Sequence, residues 1–275
     1  SRKPWFGCAC CPSNISRFIP SLPSYVYAVK DNQVYVNLYL SNKAELNVNK
    51  KKVVLEQETG YPWKEDIRVK VMQANQEFAL KLRIPGWVRG EVLPSDLYTY
   101  ADHQKPTYRV TVNGQEVLNE LNNGYLSIER KWRKGDVVEV HLDMPTRIVK
   151  ANEKVIDDKG RVAVERGPIV YCAEWPDNKC NVHTVLLNQH PQFKIIEKPE
   201  LLYGVNQIIT DAQTLSYDKN GKLATKDVEL TLIPYYAWAH RGEGDMEVWL
   251  PIDISAASAL PQEAGKWEDN GFFKN

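Results

Sequence analysis

From Tyr25 onward, apolar and polar residues alternate with a period of two. In Val34-Tyr35-Val36-Asn37-Leu38-Tyr39-Leu40 the aliphatic residues fall on one face and Tyr35, Asn37 and Tyr39 on the other. Phe78, Leu80, Leu82 and Ile84 alternate with Ala79, Lys81 and Arg83. Tyr108, Val110 and Val112 run into Asn113-Gly114, a pair suited to a two-residue hairpin because both positions tolerate positive φ. Leu126 and Ile128 precede a tight turn predicted over Trp132-Arg133-Lys134-Gly135-Asp136, and Val138, Val140 and Leu142 form the returning strand. Antiparallel sheet with one buried and one wet face accounts for all of these. After Met144-Pro145 a second strand-rich series runs through Arg161–Val164, Ile169–Cys172, Val182–Leu187, Val228–Ile233 and Met246–Leu250. Residues 200–226 are polar with a weak period and predict loops and short strands, and the polar tail after Pro251 predicts fraying. The simplest reading is a mainly β protein of two consecutive antiparallel β-sandwich domains; a single large sandwich is the competitor.

Before Tyr25 the period changes. Pro12 suits the first turn of a helix, and Ile15, Phe18 and Ile19 recur at helical spacing. This predicts a short helix over Pro12–Ile19, stopped by Pro20 and Pro23, with Cys11 near its N-cap.

Length and charge narrow the function classes. The 275 residues allow one large domain or two ordinary ones. Lys plus Arg equals Asp plus Glu at 35 each, without the basic excess that nucleic-acid or membrane-surface binding requires. The chain opens on Ser1-Arg2-Lys3 and reads as the interior of a longer protein. The expectation is a soluble protein of a bacterial cytoplasm or periplasm.

Chemistry concentrates in the cysteines. Cys8, Cys10 and Cys11 fall within four residues, far from Cys172 and Cys180. Thiolate is the reactive and metal-binding form of cysteine, and a helix N-terminus favours it. Zinc takes four ligands, so the adjacent pair could supply only part of a site. A redox pair of Cys8 with Cys11 and three inert buried thiols are the competing readings. Elsewhere the bland reading leads. None of His103, His141, His183, His190 and His240 has metal-ligand spacing, and His141 reads as a surface strand residue. Arg166-Gly167-Pro168 reads as a turn, Trp87 as a core plug and Lys50-Lys51-Lys52 as a solvated edge guard. Tyr35 and Tyr39 read as cross-strand packing pairs more than as sugar platforms. A Cys172–Cys180 disulfide is a minor alternative.

The run Cys8-x-Cys10-Cys11-Pro12-Ser13-Asn14-x-x-Arg17 resembles the cysteine motif of glycoside hydrolase family 127, the β-L-arabinofuranosidase-like enzymes. The resemblance continues through Ile84-Pro85-Gly86-Trp87, Trp132-Arg133-Lys134-Gly135-Asp136, Arg166-Gly167-Pro168-Ile169-Val170-Tyr171 and Ile233-Pro234-Tyr235-Tyr236-Ala237-Trp238-Ala239-His240-Arg241-Gly242, nearly the whole chain. It implies the C-terminal part of a retaining glycosidase acting on plant-derived glycans. The division implied is residues 1–23 as the end of an (α/α)6 catalytic barrel, 24–146 as one sandwich and 147–275 as another. It also implies Cys10 as nucleophile, zinc held by Cys10 and Cys11 with a Glu and a Cys from the barrel, and a barrel Glu as general acid/base. Cys8 matches a cysteine near the site. The partners implied are an arabinofuranoside substrate and the N-terminal barrel, with a lean toward a homodimer. The chain alone would be catalytically incomplete. The alternative is a non-catalytic carbohydrate-binding or domain-supporting β-sandwich module.

Overall fold

In the computed structural model, residues 7–102, 105–258 and 260–261 are described. Trp5-Phe6, His103 and the tail beyond Pro261 lie outside them. The protein is mainly β, with 49% strand and 12% helix. The chain divides into two compact units. One runs up to Pro94 and resumes to end at Pro145; the other takes Ser95–Asp102 together with the described residues from Thr146 onward.

The first unit has two sheets. One orders Tyr27–Lys30, Gln33–Val36, Asn75–Arg83, Tyr125–Arg133 and Leu121–Asn122. Its pairs are antiparallel except Gln33–Val36 with Asn75–Arg83, which run parallel. Between those two strands the chain builds three strands of the other sheet, the long crossover a parallel pair needs. The other sheet orders Asn42–Val48, Lys51–Thr59, Asp66–Gln73, Val137–Leu142, Tyr108–Val112 and Gln115–Glu116, all antiparallel. Alternate residues of both are buried: Val34, Val36, Leu80, Leu82 and Leu126 from the first, Val53, Leu55, Ile67, Val69 and Val138 from the second. Two side-chain amides tie the sheets together. Gln57 Nε2 donates to the Tyr27 hydroxyl at 2.9 Å, and Gln76 Nε2 donates to the Val48 carbonyl at 3.3 Å.

Three expectations change in detail. The strand expected over Val34–Leu40 stops at Val36, because the Asn37 and Leu38 amides both turn to the Val26 carbonyl. The turn expected over 132–136 starts later, since Trp132 and Arg133 still belong to their strand. Trp132 is fully buried, packs 5.8 Å from the Phe78 ring and donates its indole N–H to the Phe78 carbonyl at 3.0 Å. The turn itself is closed by Asp136, whose carboxylate accepts from the Arg133 amide at 2.9 Å, with Gly135 at φ +95°. The helix spans Cys10–Ser21, so Pro20 lies inside its last turn, and a second helical turn follows at Pro23–Val26.

The second unit is one eleven-stranded sheet whose main path is Val185–Leu187, Val205–Tyr217, Leu223–Pro234, Ile169–Glu174, Arg161–Arg166, Thr146–Ala151 and Tyr98–Tyr100. Residues 200–226 were expected to be loops and short strands; instead Val205–Tyr217 and Leu223–Pro234 form the longest antiparallel pair in the unit. The weak period arises because Val205, Gln207, Ile208, Thr210 and Ala212 are buried with amide and hydroxyl groups among them. The core gathers Val162, Val164, Tyr171, Ile208, Leu230 and Leu232. Tyr98–Tyr100 is anchored by the nearly buried Arg147, which pairs with Asp102 and lies 3.4 Å over the Tyr100 ring. The Tyr100 hydroxyl in turn donates to Glu165 at 3.1 Å. Arg241 is held by Glu174 and Asp177, so the His240-Arg241-Gly242 segment is fixed by an ion cluster.

Trp132→Ala should cost about 3–5 kcal/mol, the usual range for deleting a buried large aromatic, read as a fall in urea midpoint. A second expectation concerns His141, which faces Asp66 across the sheet. Its Nδ1 lies 2.7 Å from Asp66 Oδ1 and its Nε2 3.1 Å from Asp143 Oδ1. The Asp66 hydrogen bond, with smaller help from Asp143, raises the His141 pKa above its ordinary 6.5. The Asp143 carboxyl is lowered, first by the Thr107 hydroxyl and then by His141. The stabilisation is therefore full just below the ordinary histidine pKa and is lost as pH rises through the raised value. His141→Gln should lower the urea midpoint at about pH 5.5 and match the parent chain at about pH 9; a difference constant across pH would contradict the ionic origin.

Candidate active site

The cysteine run sits where the chain enters its helix. Gly7, at φ +75°, adopts the left-handed conformation immediately before it. Ala9 is the N-cap, Cys10 and Cys11 occupy the first two helical positions, and the Ser13 amide closes the first turn onto the Ala9 carbonyl at 3.2 Å. Pro12 fits there because the first N–H groups of a helix have no partner within it. No side chain hydrogen-bonds to the N-terminus of the helix. Ser13 Oγ donates to the Cys10 carbonyl at 3.1 Å, and Arg17 donates to Asn14 Oδ1 at 2.8 Å.

The three sulfurs come together at the surface. Cys10 Sγ stands 3.7 Å from Cys11 Sγ and 2.9 Å from Cys8 Sγ. All are free thiols and exposed in this chain. Cys8 closes on Cys10 rather than on Cys11, the partner in the competing redox reading. A tetrahedral zinc with sulfurs at ~2.3 Å separates two thiolates by about 3.8 Å. The Cys10–Cys11 spacing fits that separation; the Cys8–Cys10 spacing is too short for it. Among the described residues, no group of three or more His, Cys, Asp and Glu side chains forms a metal cage. The pair can therefore offer two ligands of a larger set.

The rest of the helix matters as well. Its apolar residues Ile15, Phe18 and Ile19 are each more than half exposed, and none of its residues is buried. The sequence shows the helical spacing but cannot show that this stripe lies open within the chain.

Other candidates resolve into structure. Tyr39 is buried, donates to the Arg83 carbonyl at 2.8 Å and meets Tyr61 edge-on; Tyr35 meets Tyr125 edge-on. Trp87 is buried, with its indole N–H on the Tyr61 hydroxyl at 3.2 Å. Cys172 and Cys180 are free; burial pushes the Cys172 thiol up to about 12. Arg166-Gly167-Pro168 turns between Arg161–Arg166 and Ile169–Glu174, with Gly167 at φ +56°. Lys52 pairs with Glu45 at 2.7 Å beside the sheet edge. No helix among the described residues is long and apolar enough to cross a membrane.

The fold and motif thus define two β-rich units, the first of them carrying the cysteine-bearing helix. Comparison with known proteins gives the class. Residues 33–144 match the family model for the beta-L-arabinofuranosidase GH127 middle domain, and residues 146–251 match that for the glycoside hydrolase family 127 C-terminal domain. The chain is 32% identical to a non-reducing end beta-L-arabinofuranosidase of Bifidobacterium longum subsp. longum, over 90% of this chain and 38% of that protein. Among solved structures, a GH127 beta-arabinofuranosidase superposes with a TM-score of 0.92 at 79% identity, over 95% of this chain and 41% of that one. A GH127 beta-L-arabinofuranosidase from Geobacillus stearothermophilus T6 gives 0.79 at 35% identity, over 91% and 38%. The chain belongs to glycoside hydrolase family 127 and matches its middle and C-terminal domains. It spans about two fifths of the length of these relatives.

Cobalt(II) titration tests the fit of the thiol pair. The chain should develop thiolate-to-cobalt charge-transfer absorption that weakens in Cys10→Ser and in Cys11→Ser and is unchanged in Cys172→Ser. Equal spectra for all four proteins would remove the pair as a ligand set.

Proposed function

We propose that this chain is the C-terminal part of a retaining β-L-arabinofuranosidase in which Cys10 is the nucleophile. The observation that carries the reading is the Cys10–Cys11 sulfur pair, 3.7 Å apart on the first turn of an uncapped, solvent-facing helix. Family membership supports it at the level of glycoside hydrolysis.

The chemistry replaces the usual carboxylate of a retaining glycosidase with a thiolate. Cys10 Sγ attacks the anomeric carbon, the bond from that carbon to the leaving oxygen breaks, and a thioglycosyl group remains on Cys10. Water then attacks the same carbon from the face the aglycone left. The carbon–sulfur bond breaks, Cys10 returns as thiolate, and two inversions give retention. Zinc bound by Cys10 and Cys11 would keep both thiols deprotonated and fixed in place. A catalytic barrel outside this chain supplies the remaining Glu and Cys ligands and the general acid/base Glu. It also covers Ile15, Phe18 and Ile19, whose exposure would otherwise leave an apolar stripe in water. The isolated chain is then catalytically incomplete.

The test uses the enzyme at the length of its relatives. Cys10→Ser should lower kcat on a β-L-arabinofuranoside by roughly 10^4-fold or more, as loss of a covalent nucleophile does. Cys11→Ser should lower both zinc content and kcat. Hydrolysis by Cys10→Ser at the parent rate would remove the nucleophile assignment, and full zinc content in Cys11→Ser would remove the metal-ligand assignment.

A further inference from the structure

Cys8 is the sulfur of the motif to which the proposed reaction gives no task. Its Sγ lies 2.9 Å from Cys10 Sγ, where a disulfide bond needs about 2.05 Å, so a closure of less than about 1 Å would join them. Cys8 precedes the helix, next to Gly7 at φ +75°, and can move without breaking a helical hydrogen bond. Cys11 is farther from Cys10, at 3.7 Å, and belongs to the first turn of the helix. Both Cys8 and Cys10 are exposed in this chain, and a thiol that a sugar can reach a small oxidant can reach also. The remaining cysteines differ: Cys172 is buried and Cys180 is partly buried, and burial disfavours the thiolate of each.

We propose that Cys8 is a resolving thiol, which captures Cys10 after oxidation by a hydroperoxide as a reversible Cys8–Cys10 disulfide. In the first step the Cys10 thiolate, free of zinc as it stands in this chain, attacks hydrogen peroxide, the O–O bond breaks, and sulfenic acid forms as hydroxide leaves. In the second, Cys8 thiolate attacks the Cys10 sulfur; the S–S bond forms, the S–O bond breaks, and the departing hydroxide takes up a proton as water. Overall two thiols and one hydrogen peroxide give one disulfide and two waters. A dithiol returns the two electrons and restores both thiols. The disulfide keeps Cys10 from passing on to sulfinic acid, which thiols do not reduce. That the modification silences hydrolysis rests on the nucleophile reading; that it forms does not.

The experiment is peptide mapping of the chain after hydrogen peroxide treatment and alkylation of the remaining thiols. The tryptic peptide holding the three cysteines should be lighter by two hydrogens, with the alkyl group on Cys11 alone, and dithiothreitol should restore three alkylatable thiols. In Cys8→Ser, the same treatment should carry Cys10 to sulfinic acid that dithiothreitol does not reverse. In the enzyme at the length of its relatives, dithiothreitol followed by zinc should restore hydrolysis to its level before oxidation in the parent and fail to do so in Cys8→Ser. Alkylation of Cys8 with a Cys10–Cys11 bridge would overturn the proposal, as would full recovery of the Cys10 thiol in Cys8→Ser. A mapped Cys8–Cys10 disulfide together with unimpaired hydrolysis by Cys10→Ser would sink the nucleophile reading and leave the modification site standing.

Discussion

The cysteine-bearing segment enters the sheet at one buried residue, Val26. The helix Cys10–Ser21 buries none of its own residues, so packing within the chain does not hold it in place. Val26 is only 2% exposed, and its carbonyl accepts from the Asn37 amide at 2.9 Å and the Leu38 amide at 3.4 Å. The next residue, Tyr27, already pairs with Val36 in the sheet, and its hydroxyl accepts from Gln57 of the facing sheet. The helix is therefore carried on the first unit by its C-terminal end, while its cysteine end is exposed in this chain.

This arrangement gives the two parts of the motif different physical roles. The helix end presents thiols to solvent in a geometry suited to a shared ion or an electrophilic carbon. The β-rich first unit supplies rigidity: Trp132, Phe78 and the paired strands around them leave little freedom in the sheet to which Val26 is tied. The second unit builds its own core around Tyr171, Ile208 and Leu232, and polar anchors such as Arg147 and Arg241 fix its outer segments. Its described residues add no metal-binding cluster.

Much of the β architecture could be read from the sequence, because half-buried strands impose alternation. Phe78, Leu80 and Leu82 and the Asn113-Gly114 turn show this directly. What escaped reading has physical causes. Val34–Leu40 alternates throughout, yet the strand ends at Val36 because backbone amides found a different acceptor at Val26, which no side-chain pattern records. Residues 205–217 conceal a long strand because Gln207 and Thr210 are buried among apolar neighbours and blur the period. The parallel pairing of Gln33–Val36 with Asn75–Arg83 is a property of the connection, and alternation is blind to strand direction. At the site, spacing brought attention to Cys8, Cys10 and Cys11, but the preference of Cys8 for Cys10 depends on the turn at Gly7 and Ala9.

The central claim is that Cys10 forms the covalent bond to sugar. The most direct measurement is mass spectrometric mapping of the enzyme, at the length of its relatives, after reaction with an electrophilic β-L-arabinofuranose analogue that remains on the nucleophile. The account predicts a single adduct on Cys10, with Cys8 and Cys11 still free to alkylate. An adduct on a carboxylate, or on Cys11 with Cys10 unmodified, would contradict it.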